Sequence, residues 1–134
     1  MSSERPWLAH YPAGVPAEID LDEFASINDI FDSAVQKYRD KTAFISMGKS
    51  ITYGDLERLS RDFAGYLLGE FKLKKGDRVA IMMPNCLQYP IAILGVLRAG
   101  LTVVNTNPMY TARELKHQLV DSGATVLLVL DNFG

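Results

Sequence analysis

"VAIMMPNCLQYPIAILGVLRAGLTVV", from Val79 to Val104, is the stretch on which the reading of the fold turns. Val79–Met83 is apolar at every position, as a strand covered on both faces must be. A mostly apolar helical stretch, Asn85–Gly100, follows, and Leu101–Val104 then reads as a second covered strand. Strand, helix and strand in that order form a parallel crossover unit. The alternation continues, with Ala112–Gly123 amphipathic at helical period and Ala124–Leu130 a third covered strand. The second half therefore predicts β-α-β-α-β, a parallel sheet layered between helices.

Toward the amino end, Lys72, Lys74, Lys75 and Arg78 surround a turn at Gly76. Such a cluster is usually a solvated loop, with attraction to anionic lipid as its functional alternative. Before it, a helix from Tyr53 to about Phe71 sets Leu56, Leu59, Phe63 and Leu67 on one face. Glu57–Arg61 and Arg58–Asp62 pair at i, i+4 on the other. "KTAFISMGKSITY" (Lys41–Tyr53) alternates around Gly48–Lys49, which predicts a short β-hairpin. An earlier helix is marked by Ile27, Ile30, Phe31, Ala34, Val35 and Tyr38 at helical spacing. Residues 1–25 are irregular, with Pro6, Pro12, Pro16 and the acidic "EIDLDEF". Trp7 and Tyr11 in that segment are expected to pack back on the domain, a dimer contact being the alternative. The division is thus residues 1–25 as an irregular segment and 26–134 as an α/β portion.

Three helix starts carry the same device. Ser26-x-x-Asp29, Thr52-x-x-Asp55 and Thr111-x-x-Glu114 each place a hydroxyl at the N-cap and a carboxylate three residues on. The hydroxyl accepts from an orphan backbone N–H, and the carboxylate suits the positive end of the helix dipole. Ile51 with Leu56, and Tyr110 with Leu115, add hydrophobic staples. Gly100 and Gly123 stand where helices hand over to strands.

The chain has 134 residues, room for one domain, of which 48% are hydrophobic and 22% charged, as in ordinary globular proteins. Fourteen Lys and Arg against 16 Asp and Glu, a net charge of −2, leave no basic surface for nucleic acid. One cysteine, Cys86, excludes an internal disulfide and fits a reducing compartment. The opening residues lack the apolar core of a signal peptide. The longest apolar run, Tyr89–Val104, is broken by Arg98 and contains Pro90 and two glycines, too interrupted to span a bilayer. The expectation is a cytoplasmic chain.

Candidate chemistry is sparse. Neither G-x-G-x-x-G nor G-x-x-x-x-G-K-[ST] occurs, and Gly95 and Gly100 belong to the apolar helix and its cap. His10, His117 and Cys86 are too far apart to suggest a metal site. Cys86 could be a thiolate at a helix start, but no partner base is evident, and a small buried residue is the simpler reading. Pro84 or Pro90 could open that helix. The loop Asn105–Tyr110 follows a strand's carboxyl end, where α/β proteins bind ligands. Structural roles nonetheless account for its residues. Asn107 before Pro108 is pushed to extended geometry, Tyr110 staples and Thr111 caps. No catalytic, cofactor-binding or metal-ligating residue is assigned on this chain.

The residues carry a resemblance as well as a pattern. "ITYGDLERLSRDFAGYL" (Ile51–Leu67), "LKKGDRVAIMMPNCLQYPIAILGVLRAG" (Leu73–Gly100) and "VVNTNPMYTARELKHQLVDSGA" (Val103–Ala124) together resemble the start of the adenylate-forming acyl-CoA synthetases. "TYGDL" (Thr52–Leu56) is similar to that superfamily's first core motif, and "LRAGLTVVNTNPMYTARE" (Leu97–Glu114) to its second. Within it, the likeness points to the bacterial members that act on long-chain fatty acids. The resemblance implies ligation of a fatty acid to coenzyme A with ATP and Mg²⁺, through an acyl-adenylate. It further implies a homodimer and peripheral contact with the inner face of the membrane. The family's phosphate loop, its acidic ribose and metal residues and its C-terminal lysine match nothing in these 134 residues. The chain is therefore expected to be the N-terminal, truncated portion of a larger domain, an inactive scaffold on its own. A stand-alone α/β ligand-binding or interaction domain is the alternative. Ala124–Leu130 reads as a strand left open so near Gly134, which predicts self-association through that edge and the N-terminal aromatics.

Overall fold

The computed structural model describes residues 5–131. The outer ends of the two predicted segments, Gly134 among them, lie outside the described residues. A short 3₁₀ helix, Pro6–His10, precedes a stretch of turns and bends, and neither Trp7 nor Tyr11 packs back as expected. Trp7 is 53% exposed and Tyr11 42%. The 3₁₀ helix buries none of its residues, so Trp7 never reaches the core.

Helix α1 (Ile27–Tyr38) sinks Phe31 and Val35, while Ile27, Ile30 and Tyr38 of the predicted stripe stay exposed. Strands β1 (Thr42–Ser46) and β2 (Lys49–Thr52) pair antiparallel, with Ser46 opposite Lys49. The turn is one residue earlier than predicted: Met47 and Gly48 take φ values of 50° and 74°. Two successive positive φ values match the twist of the flanking strands, and this outweighs the cost of placing Met there. Helix α2 (Tyr53–Gly69) stops short of Phe71. Its buried row is Leu56, Ser60, Ala64 and Leu67, whereas the predicted Leu59 and Phe63 are only half-buried. Ile51 does pack with Leu56, in a cluster with Phe31 and Val35.

Strand β3 (Arg78–Met82) is the centre of the second sheet, flanked by β4 (Thr102–Asn105) and β5 (Val126–Val129) in the order β4-β3-β5. Both pairings are parallel, with Val79 between Val103 and Val126 and Ile81 between Asn105 and Leu128. Between the strands run α3 (Gln88–Arg98) and α4 (Ala112–Ser122). Cover on both faces holds for β3, buried from Val79 to Met82, but not for its neighbours. Thr102 and Asn105 are exposed and the β5 residues half-buried, because among the described residues each flanking strand has a partner on one side only.

The main core joins Val79, Ile81 and Met83 to Leu67 of α2 and to Ala92 and Val96 of α3. Ala80 and Met82 point to the other face and are equally buried. The β3-to-β4 and β4-to-β5 connections run in opposite lateral directions, so right-handed crossovers set α3 and α4 on opposite faces.

Helix α3 has no side-chain cap, and neither Pro84 nor Pro90 opens it; Pro90 sits in its first turn, where no N–H is required. Its far end is closed by backbone alone. Gly100, at φ 74°, donates to the Leu97 carbonyl, and Leu101 donates to that of Val96. Leu101 and Val96 then meet in the core, completing a Schellman closure. Gly123 ends α4 in the left-handed conformation.

Candidate functional site

Where one strand's following helix passes in front of the sheet and its neighbour's passes behind, the loops part and leave a crevice. Here that point lies between the carboxyl ends of β3 and β4. The crevice, about 550 Å³, is lined on the β3 side by Met83, Pro84, Asn85 and Tyr89. On the β4 side it is lined by Asn105–Pro108 and Tyr110.

Its walls are tied together by hydrogen bonds. The Tyr89 hydroxyl, in the first turn of α3, donates to Asn105 Oδ1 at 2.7 Å. The Gln118 side chain of α4 donates to the Asn105 carbonyl at 3.2 Å. Thr106 is buried, its N–H donating to the Ile81 carbonyl and its hydroxyl to that of Val104. Asn107 closes its own turn: its Oδ1 accepts from the Met109 N–H at 2.9 Å and its carbonyl from the Tyr110 N–H. Two asparagines of the β4 loop are thus occupied in shaping it.

The cap that follows is complete. Thr111 Oγ1 accepts from the Glu114 N–H, and the Glu114 carboxylate accepts from both the N–H and the hydroxyl of Thr111. These bonds, the backbone one foremost, hold the Glu114 carboxyl below its ordinary value. Thr52 and Asp55 repeat the box, and the Asp55 carboxyl is likewise lowered, chiefly by the Thr52 hydroxyl. The third helix start is capped without the reciprocal bond. Ser26 Oγ accepts from the Asp29 N–H, but the Asp29 carboxylate takes the Ser26 hydroxyl and not its N–H.

The other candidates do not converge on the crevice. His10 lies exposed on the 3₁₀ helix and His117 exposed on α4. Among the described residues no group of three or more His, Cys, Asp or Glu side chains comes together. Cys86 is half-buried, packed against the main core and lining a separate apolar groove with Phe44, Ile45 and Pro90. Gly95 faces the α2 backbone. Tyr89 was not legible as a wall residue: it belongs to a helix sixteen positions before its partner Asn105, and no local spacing links them.

Chemically, the crevice offers amides and hydroxyls and no charged side chain. It can orient a neutral polar group, but it has no cation for phosphates, no carboxylate for a metal ion and no base for proton transfer. The crevice therefore does not fit ATP phosphates or Mg²⁺. No described helix is long and apolar enough to cross a membrane.

The two stretches that resemble the superfamily's core motifs run into the starts of α2 and α4. The family described as AMP-binding enzyme matches residues 31–133, and the chain belongs to it. Among individual proteins, it is 57% identical over 130 residues to the long-chain-fatty-acid–CoA ligase of Yersinia pestis, a match covering 97% of this chain and 23% of that protein. The benzoate CoA ligase of Burkholderia xenovorans superposes with a TM-score of 0.74 at 27% identity, over 79% of this chain and 22% of that one. The N-terminal subdomain of Klebsiella oxytoca NpsA, in complex with anthranilyl-AMSN, gives 0.74 at 30% identity, over 79% and 28%. The chain spans about a quarter of the length of the curated relatives it matches.

Proposed function

We propose that this chain is the N-terminal portion of an ATP-dependent ligase that joins long-chain fatty acids to coenzyme A, releasing AMP and pyrophosphate by way of an acyl-adenylate. The observation that carries the proposal is 57% identity across 97% of the chain to a long-chain-fatty-acid–CoA ligase. In this reading residues 26–134 are the first α/β portion of the enzyme's large domain, and residues 1–25 an irregular lead-in. No residue here is a catalytic, cofactor-binding or metal-ligating group. ATP, Mg²⁺ and coenzyme A are held elsewhere in the enzyme, and this segment supplies β3, its flanking strands and the helices that stiffen them. The enzyme is cytoplasmic, a homodimer, and in peripheral contact with the inner face of the membrane.

A segment exchange tests this. Residues 1–134 are substituted for the matching part of the Yersinia pestis ligase, and pyrophosphate exchange with ATP is measured with palmitate. The chimera is expected to retain palmitate-dependent exchange, and the 134-residue chain alone to show none. A folded chimera without exchange, or exchange by the isolated chain, overturns the proposal.

A further inference from the structure

At the amino ends of the parallel strands, opposite the crevice, the α2–β3 connection forms a fixed basic loop. Leu73 anchors it by packing against the main core and donating its N–H to the Leu67 carbonyl. The Gly76 N–H donates to the Gly100 carbonyl, and the Asp77 carboxylate accepts from the Lys74 N–H at 2.7 Å. Lys72, held at φ 52°, Lys74 and Lys75 all stand exposed, and among the described residues none is in an ion pair. Beside them two aromatic rings stand in the open. Tyr66 is 51% exposed and Phe71 48%, stacked edge-to-face at 5.4 Å.

Each half of this surface is ordinary alone. Lysines in a loop are solvated, and single exposed aromatics are common. Together they have a shared partner. A tyrosine and a phenylalanine suit the headgroup boundary of a bilayer, where one end of a ring is apolar and the other wet. Three unpaired lysines beside them complement an anionic leaflet. A bilayer meets both demands with one surface, its headgroups for the lysines and its interfacial boundary for the rings. The anchored backbone also fixes the positions from which these side chains project, which limits the ordering cost of binding.

We propose that Tyr66, Phe71, Lys72, Lys74 and Lys75 form the surface by which the chain docks on an anionic phospholipid bilayer. This rests on the peripheral membrane contact proposed above and names the residues that make it. The crevice at the carboxyl ends of the strands, a strand's length away, is left facing away from the bilayer.

The test is co-sedimentation of the 134-residue chain with vesicles of phosphatidylethanolamine and phosphatidylglycerol, against vesicles of phosphatidylcholine alone. No nucleotide or fatty acid is present, so the result is independent of the ligase reading. Binding is expected to the anionic vesicles only and to weaken as salt is raised. The triple variant Lys72→Gln, Lys74→Gln, Lys75→Gln is expected to bind about a hundredfold more weakly, three lysines each contributing near the surface. Phe71→Ser is expected to weaken binding on the same vesicles with its salt dependence intact. Absence of binding by the unsubstituted chain overturns the membrane contact itself. Binding that the triple variant retains in full, or equal binding to both vesicle types, overturns this surface. Retention of an acidic protein together with failure on vesicles assigns the lysines to a protein partner and overturns it as well.

Discussion

Gly95 of α3 lies against Ser60 of α2 so closely that a β-carbon there would stand 3.0 Å from the Ser60 carbonyl oxygen and 2.7 Å from Phe63 Cδ1. The two helices meet through small residues, Ser60 and Ala64 on one side and Ala92 and Gly95 on the other, all buried. Ser60 satisfies its hydroxyl locally by donating to the Glu57 carbonyl, so it enters the contact without an unpaired polar group.

Gly95→Ala is therefore expected to destabilise the domain by about 1–3 kcal/mol, since the helices must separate or Phe63 must leave its rotamer. Gly65→Ala, on α2 but with nothing within 4 Å, is expected to be neutral or slightly stabilising through helix propensity. Urea unfolding of the two variants checks this; equal midpoints would remove the close contact as an explanation.

Arg98 bridges three helices. It pairs with Glu57 of α2 at 3.2 Å and Asp32 of α1 at 3.1 Å, and its guanidinium lies 5.9 Å from the Phe31 ring centre. The Glu57 side chain is 14% exposed and that of Asp32 58%, so solvent screens the second pair far more. Double-mutant cycles are expected to give roughly 1–3 kcal/mol for Arg98–Glu57 and under about 1 kcal/mol for Arg98–Asp32. The reverse order would contradict the burial argument.

Thr52→Ala and Thr111→Ala each leave a backbone N–H without its acceptor, and each is expected to cost about 1 kcal/mol of stability. They also alter the response to acid. Asp55 and Glu114 have folded-state values below their ordinary 3.8 and 4.5. A depressed carboxyl contributes stability that is present above the unfolded value and lost as pH falls through the folded one. Between about pH 5 and 3 the unsubstituted chain should lose stability more steeply than either variant. Thermal melts across that range read the difference, and parallel slopes would count against it.

The outer edge of β5 has no strand beside it among the described residues, and Leu127 and Leu128 on it are half-buried. Such an edge is expected to bring isolated chains together. Light scattering should show a concentration-dependent rise in mass that Leu127→Lys lowers. A strictly monomeric chain at high concentration would exclude this route.

The places where sequence and structure part company share a cause. The order of elements, the parallel sheet and two complete capping boxes were all legible, because their partners lie within three or four residues or repeat at fixed period. At Ser26 the hydroxyl caps the helix as read, without the reciprocal bond found at Thr52 and Thr111, since the motif specifies residue types but not which donor the carboxylate takes. The covered character read for all three parallel strands holds only for β3, because burial depends on neighbours in the sheet and not on a strand's own composition. The Tyr89–Asn105 link across the crevice joins a helix to a later loop, beyond any local rule.

By itself, the sequence determined which segments are helix and strand, where three helices are capped, and which family's motifs the chain carries. These follow from hydrophobic period and from hydrogen bonds closed over a few residues. Only the tertiary structure decided that Ser60 and Ala64 outrank Leu59 and Phe63 in burial, that Trp7 stays out of the core, and that Asn105 and Tyr89 share a crevice. Those outcomes depend on how closely two distant backbones approach, which is set by the packing of the whole domain.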